Sequence, residues 1–264
     1  MTIVYGAIGY VIMYLGDKQV IVFSDMHNKL PFCKEYIHIT EWIQYKLKTH
    51  RFLLEEIERG DKELVELWPN SVHTQKLKNF YLNNTSNVIA IDVRPFLVIF
   101  SWELLYKGPV ESHDRINLQS YLSYIQLFYS FRHSFFSKKI YIYNIISIAG
   151  TPAAQHLKFI YNSYRIFKKK YKHMMHKTIS YIFYNYIQIL KDFNNLIDDI
   201  MEWYTCVVIY LYNSNDIIHT GLAHSETIIY LLQKFYNFVI TKKYGIFNIK
   251  DSNSLSSGCV SIDI

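Results

Sequence analysis

Residues Tyr10–Phe23 read YVIMYL, then Gly16-Asp17-Lys18, then QVIVF, and Ser24-Asp25-Met26-His27 follows at once. Two β-rich apolar runs flanking a Gly-Asp turn predict an antiparallel hairpin. Its second strand ends on ionisable residues. Downstream, Ile37, Trp42, Ile43 and Leu47 have helical spacing over Ile37–Leu47, with Thr40 or the polar residues before it as caps. Arg51–Ile57 predicts a buried strand carrying Glu55 and Glu56 near its end, and Asp61–Trp68 and Ser71–Leu82 predict amphipathic helices, the second capped by Asn70 or Ser71. Val88–Val93 is strand-like until Pro95. This alternation predicts an α/β fold: a mixed, largely parallel sheet with an N-terminal hairpin.

Beyond Pro95 the pattern becomes helical over Phe96–Tyr106, Leu118–Phe136, Pro152–Lys170 and about Ser180–Leu211. Lys107–Arg115, with Gly108-Pro109, is the clearest loop. Asp216–Thr220 predicts a strand, followed by Gly221-Leu222-Ala223-His224, a helix over Ser225–Ile240 and a last strand over Tyr244–Ile249. The expected organisation is an N-terminal α/β part at 1–106, a large helical insertion at 107–212, a return to the sheet at 213–250 and a flexible tail at 251–264.

The composition narrows the function classes. The chain has 264 residues, 50% of them apolar and 19% charged, which excludes a disordered segment, a collagen-like fibre and a long coiled coil. The net charge of +6 is modest. The one dense basic run, Lys168–Lys172, is expected on the solvated end of a helix, and no nucleic-acid partner is expected. The 24 Tyr and 17 Phe accompany abundant Ile, Asn and Lys, a codon-bias pattern that carries no functional argument. Residues 1–15 lack the basic start and the cleavage site of a signal peptide, and Cys206–Tyr212 is too short for a membrane span. Cys33, Cys206 and Cys259 show no disulfide framework and no metal clip, so a reducing, cytoplasmic setting is expected.

Four strand ends deliver polar groups to one rim: Asp25 and His27, Glu55 and Glu56 with Arg59 beyond them, Asp92 and Arg94, and His224 after Gly221. Two imidazoles and a carboxylate suit zinc, manganese or iron, so His27, Glu55 and His224 are the expected ligands of a divalent transition metal. The second glutamate is a general base, and Arg59 or Arg94 a contact to a developing oxyanion or substrate carboxylate. Plainer roles stand beside these. Asp25 and His27 can cap a helix, and Asp92 and Arg94 can pair. Glu55 and Glu56 alternate along a strand, so at most one is expected as a ligand. His219 is expected to decorate its strand, and His38, His50, His113, His133 and His156 to be surface or core residues.

Asp25-Met26-His27 resembles the opening motif of metallophosphoesterases, although their later motifs do not follow. A longer resemblance is to the TraB/Tiki superfamily and its ChaN-like and erythromycin-esterase-like relatives. It runs in order through the Tyr10–Phe23 hairpin, Ser24–His27, Leu53-Leu54-Glu55-Glu56 and Gly221–His224. Ser24 stands where that family has glycine. The resemblance implies a split α/β core interrupted by helices and metal-dependent hydrolysis of a peptide or small-molecule ester by both histidines and the glutamate. The wording of Leu53–Glu56, Trp68-Pro69-Asn70-Ser71 and His73-Thr74 also looks like proteins of large DNA viruses, which implies a host-cytoplasm or virion location. A catalytically inactive viral structural or interaction protein is the alternative to the hydrolase.

Overall fold

The computed structural model describes residues 2–26, 33–57, 71–84, 86–97, 103–148, 150–248, 250–251 and 257–263. Two compact units emerge: Met1–Asp92 with Val208–Ile264, and Val93–Val207. Along the first unit run β1 (Thr2–Tyr5), β2 (Gly9–Leu15), β3 (Lys18–Asp25), β4 (Ile37–His38), α1 (Ile39–Lys46), β5 (His50–Ile57), α2 (Val72–Asn83) and β6 (Val88–Asp92). The second unit holds α3 (Arg94–Leu97), α4 (Glu103–Lys107), α5 (Leu118–Tyr129), α6 (Ser134–Lys138), α7 (Ile140–Ile146), α8 (Pro152–Lys170) and most of α9 (Ile179–Leu211). The chain returns to the first unit through β7 (Asn215–Gly221), α10 (Leu222–Tyr236), β8 (Val239–Gly245) and β9 (Cys259–Ile262).

The fold is α/β with mixed sheets, as the hairpin and the alternation predict. Leu15 pairs with Lys18 across Gly16-Asp17, and the positive φ of +57° falls on Gly16, where II′ hairpin turns place glycine. The six-stranded sheet has the order β6-β5-β7-β3-β2-β8. β6, β5, β7 and β3 are mutually parallel, and β2 is antiparallel to both β3 and β8. From β3 the chain crosses towards β5 through α1, whereas from β7 it crosses the other way to β8 through α10. Right-handed crossovers in opposite directions put their helices on opposite faces. The carboxyl ends of β3 and β7 therefore sit where the winding reverses, which is where open α/β sheets form their crevice.

Side-chain parity builds the core. Tyr10, Ile21, Phe23, Phe52, Leu54 and Ile217 point to one face and meet Trp42 and Ile43 of α1 and Leu77 and Phe80 of α2. Truncating a ring such as Phe52, fully buried here, to alanine costs about 3–5 kcal/mol. A second, three-stranded sheet, β4-β1-β9, adds Val4, Val260 and Ile262 to the same core.

Several expectations are corrected. The stretch 251–264 is not a flexible tail throughout, because β9 pairs antiparallel with β1 along its length. Cys33 and Cys259 form a disulfide between residues 226 apart, with Cα atoms 6.3 Å from each other, and only Cys206 is a free thiol. The cysteines therefore give no support to a reducing compartment. The last helix stops at Tyr236 because Asn237 adopts the left-handed conformation, and the β-branched Val239-Ile240-Thr241 then begins a strand earlier than Tyr244. The helical unit begins at Val93. Within it, Leu118–Phe136 divides at Phe131, whose φ is +58°; the described part of Phe96–Tyr106 is helical in α3 and α4, and 98–102 lie outside the described residues. Asp61–Trp68 lies outside the described residues.

In the helical unit Trp203 is fully buried, donates to the Ala153 carbonyl at 3.1 Å and meets Phe128 edge-on. Lys168, Lys169 and Lys170 are exposed in the last turn of α8, as expected for charges that suit a helix C-terminus. Among the described residues no helix is long and apolar enough to cross a membrane.

Candidate metal centre

The candidate site grows from register. Phe23 and Leu54 flank His219 on either side, so its imidazole shares the face of Phe23, Asp25 and Leu54, beneath α1 and α2. Two helix starts supply the rest. His38 is the N-cap of α1, its Nδ1 accepting the Thr40 N–H at 3.3 Å. His73 lies in the first turn of α2, held by a reciprocal capping box between Ser71 and Thr74.

Asp25, His73 and His38 form a hydrogen-bonded chain, and the His219 ring lies beside His73, their centroids 5.8 Å apart. Asp25 Oδ2 is 3.0 Å from His73 Nε2, and His73 Nδ1 is 2.9 Å from His38 Nε2. His219 Nε2 donates to the Gly6 carbonyl at 2.6 Å. Gly6, at φ +101°, lies so close to His73 that a Cβ there would stand 2.6 Å from the ring, so glycine is required on both conformational and steric grounds. One ligand atom from each of Asp25, His73 and His219 lies within 4.8 Å of the others. All four residues are at most 4% exposed.

The backbone sets the tautomers. The Thr40 N–H makes His38 Nδ1 an acceptor, so His38 Nε2–H donates to His73 Nδ1, and His73 Nε2–H donates to Asp25. Burial, reinforced by the neighbouring His73, pushes His38 down to about 3, which keeps its ring neutral. Since Nε2–H of His219 is committed to Gly6, Nδ1 is its basic nitrogen. Tyr5 packs on His38 and His73, its hydroxyl raised by burial and then by Tyr36 and Asp25.

The glutamates lie at the edge of this cluster. Glu55 Oε2 accepts the Gly221 N–H at 2.7 Å, and Glu55 Oε1 is 3.6 Å from His224 Nε2. The ladder between β5 and β6 shifts register between Leu54 and Ile57, so strict alternation is lost. Glu55 and Glu56 consequently line the same cavity, together with Lys78 and His219, where the sequence parity predicts opposite faces. That cavity is about 20 Å³, room for one water.

Of the residues singled out from the sequence, the fold brings Glu55 and His224 together and places Asp25 in the cluster. His27 and Arg59 lie outside the described residues. Arg94 donates to Asp198 at 3.0 Å. Ser24 Oγ donates to the Ile246 carbonyl at 2.7 Å. Sequence reasoning missed His38 and His73 and ranked His219 below His224. The available signal was parity, since His219 shares a face with Ile217 and Gly221 on the strand expected to end at the same rim as Asp25. Comparisons with family models, curated proteins and solved structures give no match to this chain.

Proposed function

We propose that the chain is a metal-dependent hydrolase acting on peptide or ester bonds, with a divalent transition metal held by Asp25, His73 and His219. The observation that carries this reading is the convergence of two imidazoles and a carboxylate at the winding reversal of a parallel sheet. The donor set fits such an ion. Each imidazole has its other ring nitrogen hydrogen-bonded, His73 to His38 and His219 to Gly6, the outer support that fixes a ligating histidine. When bound, the metal supplies Lewis-acid polarisation and a more acidic water.

The chain's own residues supply the proton handling. As a ligand, His73 Nε2 gives up its proton. Nδ1–H then donates to His38 Nε2, and His38 Nδ1–H donates to Thr40 Oγ1, 2.8 Å away. That tautomer gives up the Thr40 N–H contact to His38 Nδ1 and takes Thr40 Oγ1 as its acceptor instead. Glu56 and Glu55 border the water-sized cavity beside His219, and Glu55 is steadied by the Gly221 N–H and by His224. Their role is to take the proton of the attacking water. His224 therefore positions Glu55 in this reading, instead of serving as a ligand.

The test is hydrolysis of a panel of chromogenic esters and peptides with zinc, manganese or iron, before and after chelation. Metal-dependent turnover that falls at least about a hundredfold in Glu55→Gln or Glu56→Gln supports the reading. Turnover indifferent to chelation contradicts it. A second reading is a structural network in an interaction protein, favoured by the depth of burial and by the internal hydrogen bonds of all three imidazoles. It predicts that His73→Ala lowers the melting temperature while no substrate is turned over.

A further inference from the structure

The opposite, amino-terminal ends of the parallel strands carry a second polar site. A surface groove of about 260 Å³ opens there, lined by Lys48 and Arg51 on the approach to and start of β5, Ser86 and Asn87 before β6, and Ser214 before β7. The strands β6, β5 and β7 are adjacent, so these three turns share one edge.

Among the described residues the lining is rich in donors and contains no carboxylate. Lys48, Ser86 and Asn87 are exposed, and among the described residues their side chains make no hydrogen bond. Two further donors, Arg51 Nη1 and Ser214 Oγ, are buried without a hydrogen-bond partner. Buried polar groups are nearly always paired, so two orphans in the wall of one groove call for a missing acceptor. Charge selects the kind. Arg51 binds Asp216 at 2.7 Å, but Lys18 binds the same carboxylate at 2.8 Å, so the trio keeps one positive charge, to which Lys48 adds another. His50, also in the lining, stays neutral, lowered by burial and then by Lys46, and is committed to Gln19 at 3.0 Å. Its Nδ1 is 2.8 Å from Thr49 Oγ1.

We infer that this groove binds a tetrahedral oxyanion, the phosphate group of a small ligand. Its oxygens accept from Lys48, Asn87 and Ser86 at the mouth and compensate the Arg51 and Ser214 donors in the wall. The inference is independent of the metal centre, which lies at the other end of the strands.

Calorimetric titration of the full chain with inorganic phosphate and with adenosine monophosphate, at low and high sodium chloride, tests it. Lys48→Ala/Asn87→Ala is the control, because both side chains are exposed and unbonded and the variant keeps the fold. Millimolar or tighter binding, weakened at least about tenfold in that variant and by added salt, supports the site. Tighter binding of the monophosphate identifies an ester as the ligand. Equal or tighter binding of inorganic phosphate identifies the free anion. No binding of either probe at about 10 mM, or binding unchanged in the double variant, overturns the inference.

Discussion

The two ends of the six-stranded sheet both bury polar side chains, and they do so by different chemistry. At the amino ends, Asp216 is fully buried between Lys18 at 2.8 Å and Arg51 at 2.7 Å. Lys18 also donates to the carbonyls of Ile209 and Tyr212, and Arg51 stacks on Tyr212, so this network fastens the end of α9 to the sheet. Burial raises the Asp216 carboxyl and lowers Lys18, but two cations on one carboxylate keep it ionised near neutrality. At the carboxyl ends the groups are imidazoles beside a single aspartate, tied by hydrogen bonds and two backbone contacts. Opposed full charges satisfy one another at Asp216 and leave only hydrogen-bond donors and one net positive charge, which suit an anion and no proton transfer. The imidazoles keep basic nitrogens in reach of one point, so the first end holds the fold and the second can do chemistry.

The largest expected effect separates the ends. Asp216→Asn strips the buried Lys18 and the half-buried Arg51 of their partner and should destabilise the chain by about 3–5 kcal/mol in denaturant titrations. Asp25→Asn keeps a hydrogen-bond acceptor for His73 and should cost far less. Equal losses would erase the distinction.

Reduction of the Cys33–Cys259 disulfide comes next, at about 2–4 kcal/mol. Cys259 is the β9 partner of Tyr5, and the following Gly6 donates its N–H to the Gly258 carbonyl at 3.1 Å. Hydrogen exchange after reduction should therefore rise in β1 and β9 and at Gly6, and remain unchanged in β5 and β7. A uniform rise would show that the disulfide does not act locally on the cluster.

Smaller per pH unit is the effect of acidification. His38 is lowered to about 3 in the fold, so below the unfolded value of about 6.5 the unfolded chain binds the extra proton. Stability from this residue is full above that value. It falls by up to about 1.4 kcal/mol per pH unit as the pH drops towards the folded value. His38→Gln should flatten that slope between pH 6.5 and 4, measured by melting temperature, and an unchanged slope would assign it to other groups. Smallest is Arg94→Ala, which loses a partly exposed pair with Asp198 and should cost about 1 kcal/mol or less.

The hairpin, the β5 and β6 strands and α2 with its Ser71 cap were legible because each depends on local signals: a Gly-Asp turn, alternation, a capping side chain. β8 was less legible, since a single left-handed Asn237 decides where α10 stops. The Cys33–Cys259 pair was invisible because no spacing rule reaches across 226 residues. At the site, Asp25, Glu55 and His224 could be read from strand ends. His38 and His73 could not, because their roles arise where helix starts land on the sheet. The alternation of Glu55 and Glu56 misled for a definite reason, the register shift that puts both in one cavity.

The most direct test is metal content. Purified chain incubated with zinc, manganese or iron, desalted and analysed for bound element, should carry one equivalent, and Asp25→Asn and His219→Gln should each lose it while remaining folded. A folded wild-type chain that retains no metal, or variants that retain as much as wild type, would contradict the assignment of Asp25, His73 and His219 as its ligands.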